Sequence, residues 1–138
     1  MSNYDTNLAA EYYVLSMLYR KGYDAHLTLG NKKSVDIIIQ GKKGNLITID
    51  VKGMAGTTLW GMDNFSTAKR SHFIVLVSFL DKMDDEKILP ECWIIPSIEV
   101  KKLLYHNPKG NRKGIGRWFI RQFQERYKEN WSLFRKYK

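Results

Sequence analysis

The sequence predicts an α/β fold in the α+β sense, with an amphipathic helix leading into a mixed sheet. Three observations predict it. Residues 5–21 carry apolar side chains at helical spacing. Residues 34–53 read as a β-hairpin. Residues 73–79 are an unbroken apolar run rich in β-branched and aromatic side chains. The 138 residues suffice for one domain with a real core and are few for two. Residues 1–138 therefore read as one domain, with 101–138 as a basic helical extension.

In the first helix, Asp5 or Thr6 stands where a cap belongs. Gly22 ends it after Arg20 and Lys21, cations that suit the negative end of the helix dipole. The apolar stripe is Leu8, Tyr12, Leu15, Leu18 and Tyr19, and Glu11 falls inside it. A carboxylate on a buried helix face is costly unless it is paired or metal-bound. Residues 24–29 alternate and predict a strand. Residues 30–33, with Lys32 and Lys33, form a basic turn into the hairpin.

The hairpin has apolar flanks, Val35, Ile37, Ile38 and Ile39, then Leu46, Ile47, Ile49 and Val51, around turn chemistry at 41–45. Asp36, Asp50 and Lys52 are charged residues in strands that otherwise look buried. Alternation puts Thr48, Asp50 and Lys52 on one face. If Gln40 lies opposite Leu46, Ile38 faces Thr48 and Asp36 faces Asp50. Opposed residues have Cβ atoms roughly 4.5–5.5 Å apart, and like charges there are destabilising. Two carboxylates placed together in an apolar sheet need a counter-charge. A divalent cation is the simplest one, because hard cations take carboxylate oxygens. Lys52, on the same face, adds to it.

Beyond the hairpin, residues 53–58 are small and flexible, and Trp60, Met62 and Phe65 cover the core. Lys69, Arg70 and His72 sit on a short helical turn before the strand at 73–79. Residues 81–91 are an acidic surface loop without calcium-loop spacing. Residues 92–95 form another strand, and Ser97 caps a helix to about residue 105. Residues 107–116 form a Gly-rich basic loop suited to a nucleic-acid backbone, without Walker spacing. A long helix over 117–136 follows, its aromatic stripe Phe119, Phe123, Tyr127, Trp131 and Phe134 docked on the sheet or on a partner.

The net charge of +9 is unevenly spread. Residues 1–100 hold 11 Lys and Arg against 12 Asp and Glu, whereas residues 101–138 hold 12 against 2. A clustered basic surface favours a polyanion, and nucleic acid is the commonest. Candidate contacts are Lys32, Lys33, Lys69, Arg70, Lys109, Arg112, Lys113 and Arg117. The single cysteine, Cys92, excludes an internal disulfide. His26, His72 and His106 lack zinc spacing. No apolar run reaches the ~20 residues of a membrane helix, and the first residues do not read as a signal peptide. A cytoplasmic location without a membrane partner is the expectation.

Taken together, Glu11 on a helix, Asp36 on one strand and Asp50-Val51-Lys52 on the next resemble the PD-(D/E)xK nuclease superfamily. The acid on the first helix is similar to its Holliday-junction-resolvase-like branch. Val35 stands where the family's name has proline. The resemblance spans roughly residues 6–80 and implies a restriction-endonuclease-like αβββαβ core, completed here by the long last helix. It implies Mg²⁺ or Mn²⁺ held by Asp36, Asp50, Glu11 and the Val51 carbonyl, with Lys52 orienting the attacking water and stabilising charge on the phosphate. DNA, branched or double-stranded, is the implied substrate, and cutting two strands would require a homodimer. A non-catalytic nucleic-acid-binding module on the same fold is the alternative. A protein-interaction domain whose basic segment meets an acidic partner is a third reading.

Overall fold

The computed structural model describes residues 2–28, 35–63, 65, 69–110 and 112–138. The chain begins with α1 (Asn3–Arg20). Its cap is Ser2, upstream of the expected Asp5 or Thr6. The Asp5 N–H donates to Ser2 Oγ at 3.1 Å, and the Asp5 carboxylate accepts from the Ser2 N–H at 3.3 Å, a reciprocal capping box. Gly22, at φ 85°, follows the helix as expected.

The buried face of α1 is Thr6, Ala10, Val14 and Leu18, not the expected stripe. Tyr12 and Tyr19 are exposed, and Leu8 and Leu15 are half-buried. The reason is close packing. A five-stranded sheet is built from β1 (Ala25–Leu27), β2 (Ile37–Gln40), β3 (Leu46–Met54), β5 (His72–Ser78) and β6 (Glu91–Pro96), in that spatial order. Helix α1 lies on β3 so tightly that a Cβ at Gly53 would stand 2.9 Å from both the Ala10 Cβ and the Thr6 carbonyl oxygen. A small-residue face permits this approach, and a stripe read from large apolar residues does not find it.

Strands β1, β2 and β3 are antiparallel, β3 and β5 parallel, and β5 and β6 antiparallel, so the sheet is mixed. The hairpin register is the expected one, with Gln40 opposite Leu46 and Ile38 opposite Thr48. Residues 42–44 close it as a 3-10 turn. Period-two alternation divides the sheet. Ile37, Ile39, Ile47, Ile49, Val51, Phe73, Val75, Val77, Cys92 and Ile94 form one core with α1. Ile74, Leu76, Trp93 and Ile95 face the other way into a second core.

That second core is covered by a small sheet of β4 (Leu59–Gly61), β8 (Lys113–Gly116) and β7 (Tyr105–His106), in that order, and by α2 (Ser97–Val100) and two further short helices. Trp60 and Met62 are buried there, as expected of core cover, and the Trp60 indole N–H donates to the Val77 carbonyl at 3.0 Å. The expected loop at 107–116 ends instead in a strand, and residue 105 lies in β7 rather than in a helix. Nor does Ser97 cap α2: the N-cap position is Pro96, and Ser97 Oγ–H donates to the Lys69 carbonyl at 2.6 Å. Among the described residues of the connection between β3 and β5, β4 and turns stand where an αβββαβ core would place a helix, and Arg70–Ser71 is a turn.

The long helix expected over 117–136 is absent. The segment breaks into α3 (Arg117–Ile120), a 3-10 turn, α4 (Gln124–Tyr127) and a 3-10 segment, Trp131–Tyr137. The aromatic residues serve two cores on opposite sheet faces. Tyr127 lies in one, and Trp131 and Phe134 lie in the other. The chain must cross the edge of β6 between them. Lys128 bridges to Trp93, and Glu129 turns at φ 52°. The Glu129 N–H donates to the Cys92 carbonyl at 2.8 Å, and the Cys92 N–H donates to Glu129 Oε1 at 3.1 Å. These bonds satisfy an edge strand that would otherwise be open. Residues 101–138 are thus part of both cores. Among the described residues no helix is long and apolar enough to cross a membrane.

Gly53→Ala should destabilise the fold by about 1–3 kcal/mol, the cost of overpacking a closed contact. Chemical denaturation measures it, and an unchanged midpoint would contradict the close packing of α1 on β3.

Candidate active site

Asp36 lies one residue before β2, and its backbone is held from both sides. Its N–H donates to the Ile49 carbonyl at 2.8 Å, and its carbonyl accepts from the Thr28 N–H at 2.9 Å. Thr28 Oγ–H also donates to the Val35 carbonyl at 2.7 Å. From this clamp the Asp36 carboxylate reaches across to β3, where Oδ2 accepts from the Val51 N–H at 2.7 Å. Successive peptides of a strand point to alternate edges. The Val51 carbonyl therefore faces the same edge as its N–H, beyond the point where β2 begins.

The register continues from Ile37 opposite Ile49 to Asp36 beside Asp50. The two carboxyl groups are in hydrogen-bond contact. Asp50 is only 7 % exposed. Lys52 Nζ stands 3.4 Å from Asp50 Oδ2. Thr48, Asp50 and Lys52 share a face of β3, as alternation requires.

Glu11 approaches from α1, half-buried, and couples electrostatically to Asp36. One turn earlier, Asn7 Oδ1 accepts from the Gly53 N–H at 3.1 Å. That bond ties the helix to the end of the D-x-K stretch and fixes where Glu11 emerges. Burial, reinforced by Asp36, pushes the Glu11 carboxyl up to about 7. Asp36 is also pushed up to about 7, first by burial and then by its hydrogen bond to Asp50. Both values report negative charge that the surrounding protein undercompensates.

The donor set suits a small hard dication, because it offers oxygens only and its acids keep protons that a cation would displace. Among the described residues, no group of three or more His, Cys, Asp or Glu side chains could hold a metal ion. Asp36 and Asp50 are together, and Glu11 stands off from them.

The basic candidates divide. Arg117 is bidentate to Glu91, at 2.9 Å for each bond, and Lys113 Nζ donates to the Phe65 carbonyl at 2.8 Å, so both are engaged in holding the fold. Lys69, Arg70, Lys109 and Arg112 are exposed. Lys32 and Lys33 lie outside the described residues.

Two residues that the sequence reading passed over belong to the site. Asn7 precedes Glu11 by one helical turn, and that spacing was visible. His72 pairs with Thr48 across β3 and β5, and Thr48 Oγ1 and His72 Nδ1 share a hydrogen bond of 2.6 Å. Burial, with the Lys69 ammonium nearby, holds its imidazole below the usual range. It was passed over as an isolated histidine because its partner is 24 residues away.

Searches of family models, of curated proteins and of solved structures return no match to this chain.

Carboxyls held up to about 7 in the fold, against ordinary values of 4.5 and 3.8, stabilise it fully below those ordinary values. That stabilisation is lost as pH rises through about 7. His72, shifted the other way, opposes this trend, so a variant comparison isolates the acids. In EDTA, Glu11→Gln should gain melting temperature relative to wild type between pH 5 and pH 8, by on the order of a few degrees. Adding Mn²⁺ at pH 8 should raise the wild-type melting temperature. A constant difference between the two proteins across that window would contradict the assigned burial of Glu11.

Proposed function

We propose that this chain is a metal-dependent nuclease that hydrolyses phosphodiester bonds, with DNA as substrate, on a restriction-endonuclease-like variant of the mixed sheet. The observation that carries the reading is the contact of Asp36 with Asp50, with Lys52 Nζ 3.4 Å from Asp50. Two carboxyls brought together in a mostly apolar setting cost stability, which supports a role in holding a cation.

Asp36, Asp50 and the Val51 carbonyl would hold Mg²⁺ or Mn²⁺, with Glu11 closing on it from α1. Such an ion lowers the pKa of bound water and acts as a Lewis acid on the phosphate. The chain's own residues supply the rest. The Lys52 ammonium orients the attacking water and offsets negative charge that grows on the phosphate oxygens. Glu11, on α1, would complete the metal site or hold a metal-bound water. Asn7 and the Gly53 contact fix the distance between α1 and β3, and with it the reach of Glu11.

The sheet also supports a place for the strand. Beside the site, the face of β1, β2 and β3 that carries Thr48 stays open, with His26, Gln40 and Leu46 exposed and Ile38 half-buried. The covering layer over β5 and β6 forms a wall next to it. Cutting both strands of a duplex takes two such centres, which a homodimer would supply.

Wild-type protein incubated with supercoiled, linear, branched and single-stranded DNA in Mg²⁺ or Mn²⁺ should cleave at least one of them. Lys52→Ala should slow cleavage by about 10²–10³-fold, and Asp50→Ala should abolish it. If wild type cuts nothing, the chain is a binding module; if the variants cut as fast as wild type, chemistry lies elsewhere.

A further inference from the structure

Where β5 begins, a cleft of about 480 Å³ opens at the end of the sheet. Lys69 and Arg70 line it from the approach to β5, and Lys136 from the Trp131–Tyr137 segment, so cations from two distant stretches meet there. Among the described residues of its lining the one carboxylate, Glu99, is already engaged. It accepts from Arg126 Nε at 2.9 Å and from the Tyr127 hydroxyl at 2.7 Å, and Lys102 Nζ stands 3.6 Å away. The charge available to a ligand in the cleft is therefore positive.

The wall is fixed. The Lys69 N–H donates to Ser97 Oγ at 2.9 Å, and Ser97 Oγ–H donates to the Lys69 carbonyl at 2.6 Å, a reciprocal pair of hydrogen bonds that pins this stretch to α2. Ser71 then turns at φ 60°, a conformation seldom adopted by residues other than glycine. His72, buried and bonded to Thr48, ends the stretch. Since Thr48 and His72 are register partners of a parallel pair, their side chains share a face, and Asp50 and Lys52 lie further along that same face of β3.

We propose that this cleft is a phosphate subsite, in which Lys69, Arg70 and Lys136 hold a backbone phosphodiester of the strand whose neighbouring bond lies at Asp36 and Asp50. Phosphate is the anion that suits it, because several cations can share its oxygens. The subsite rests on the nuclease reading for the reason a strand is present, but binding without cleavage tests it separately.

The test measures anisotropy of a short fluorescein-labelled duplex, and of the matching single strand, in EDTA over a salt series. Lys136→Ala should lower the slope of log affinity against log salt by about 0.9 on duplex and about 0.7 on single strand. The Lys69→Ala/Arg70→Ala protein should lower it by about twice that. Lys82→Ala/Lys87→Ala removes as much charge from the exposed 81–88 loop and should leave the slope unchanged. Reduced slopes for the cleft variants alone support the subsite, even if wild type cuts nothing in Mg²⁺, a result that sinks only the nuclease reading. Cleft variants that match the control pair, in a protein that cuts, overturn the subsite and leave the nuclease reading standing. Absence of any binding also overturns it. Inorganic phosphate, followed by ³¹P NMR, separates the sources: phosphate binding lost in the cleft variants without any change in the oligonucleotide slopes would mean a free-phosphate site and overturn the proposal.

Discussion

Asp36 and Asp50 meet just before β2 begins, alongside β3, and their carboxyl groups touch in a setting that is mostly apolar. Each neighbouring feature either holds that contact or compensates it. Thr28 and Ile49 clamp the Asp36 backbone, the Val51 N–H donates to its carboxylate, and Lys52 places an ammonium next to Asp50. A hydrogen bond to a charged group is worth about 1.5–3 kcal/mol, which offsets part of the burial and repulsion without cancelling them. The remainder appears in the Asp36 and Glu11 carboxyls, which keep their protons up to about 7. A cation placed there would remove both the proton and the repulsion.

The approach of α1 to β3 governs the third acid. Gly53 lets the helix descend onto the strand, Ala10 fits the space, and Asn7 takes the Gly53 N–H. Glu11 is carried to the sheet edge as a consequence. It lies on the opposite side of β3 from the Asp50 face and couples electrostatically to Asp36 at the opening before β2 begins. The edge thus joins two faces of the sheet in one site.

The hairpin and its register were legible in the sequence because period-two alternation and a tight turn leave few options. The pairing of Asp36 with Asp50 was legible because a charge inside an apolar strand stands out. The α1 face was not, since Thr6 and Ala10 are weak signals for a hydrophobic stripe and the reason for them, Gly53, lies far along the chain. The last segment misled for a different reason. Its aromatic residues have helical spacing, but Tyr127 and Trp131 belong to cores on opposite sides of β6, and spacing alone does not say that a chain changes sides. His72 was missed because its meaning depends on a pairing between β3 and β5. Arg117 and Lys113 looked like contacts for a polyanion because the partners that engage them, Glu91 and the Phe65 carbonyl, are remote in sequence.

The most direct test of the paired carboxylates is anomalous scattering from crystals soaked in Mn²⁺. A peak about 2.1 Å from oxygens of both Asp36 and Asp50 is the predicted result, lost in Asp36→Asn. A peak that binds elsewhere, or none at these carboxylates at a pH above 7, would contradict the account.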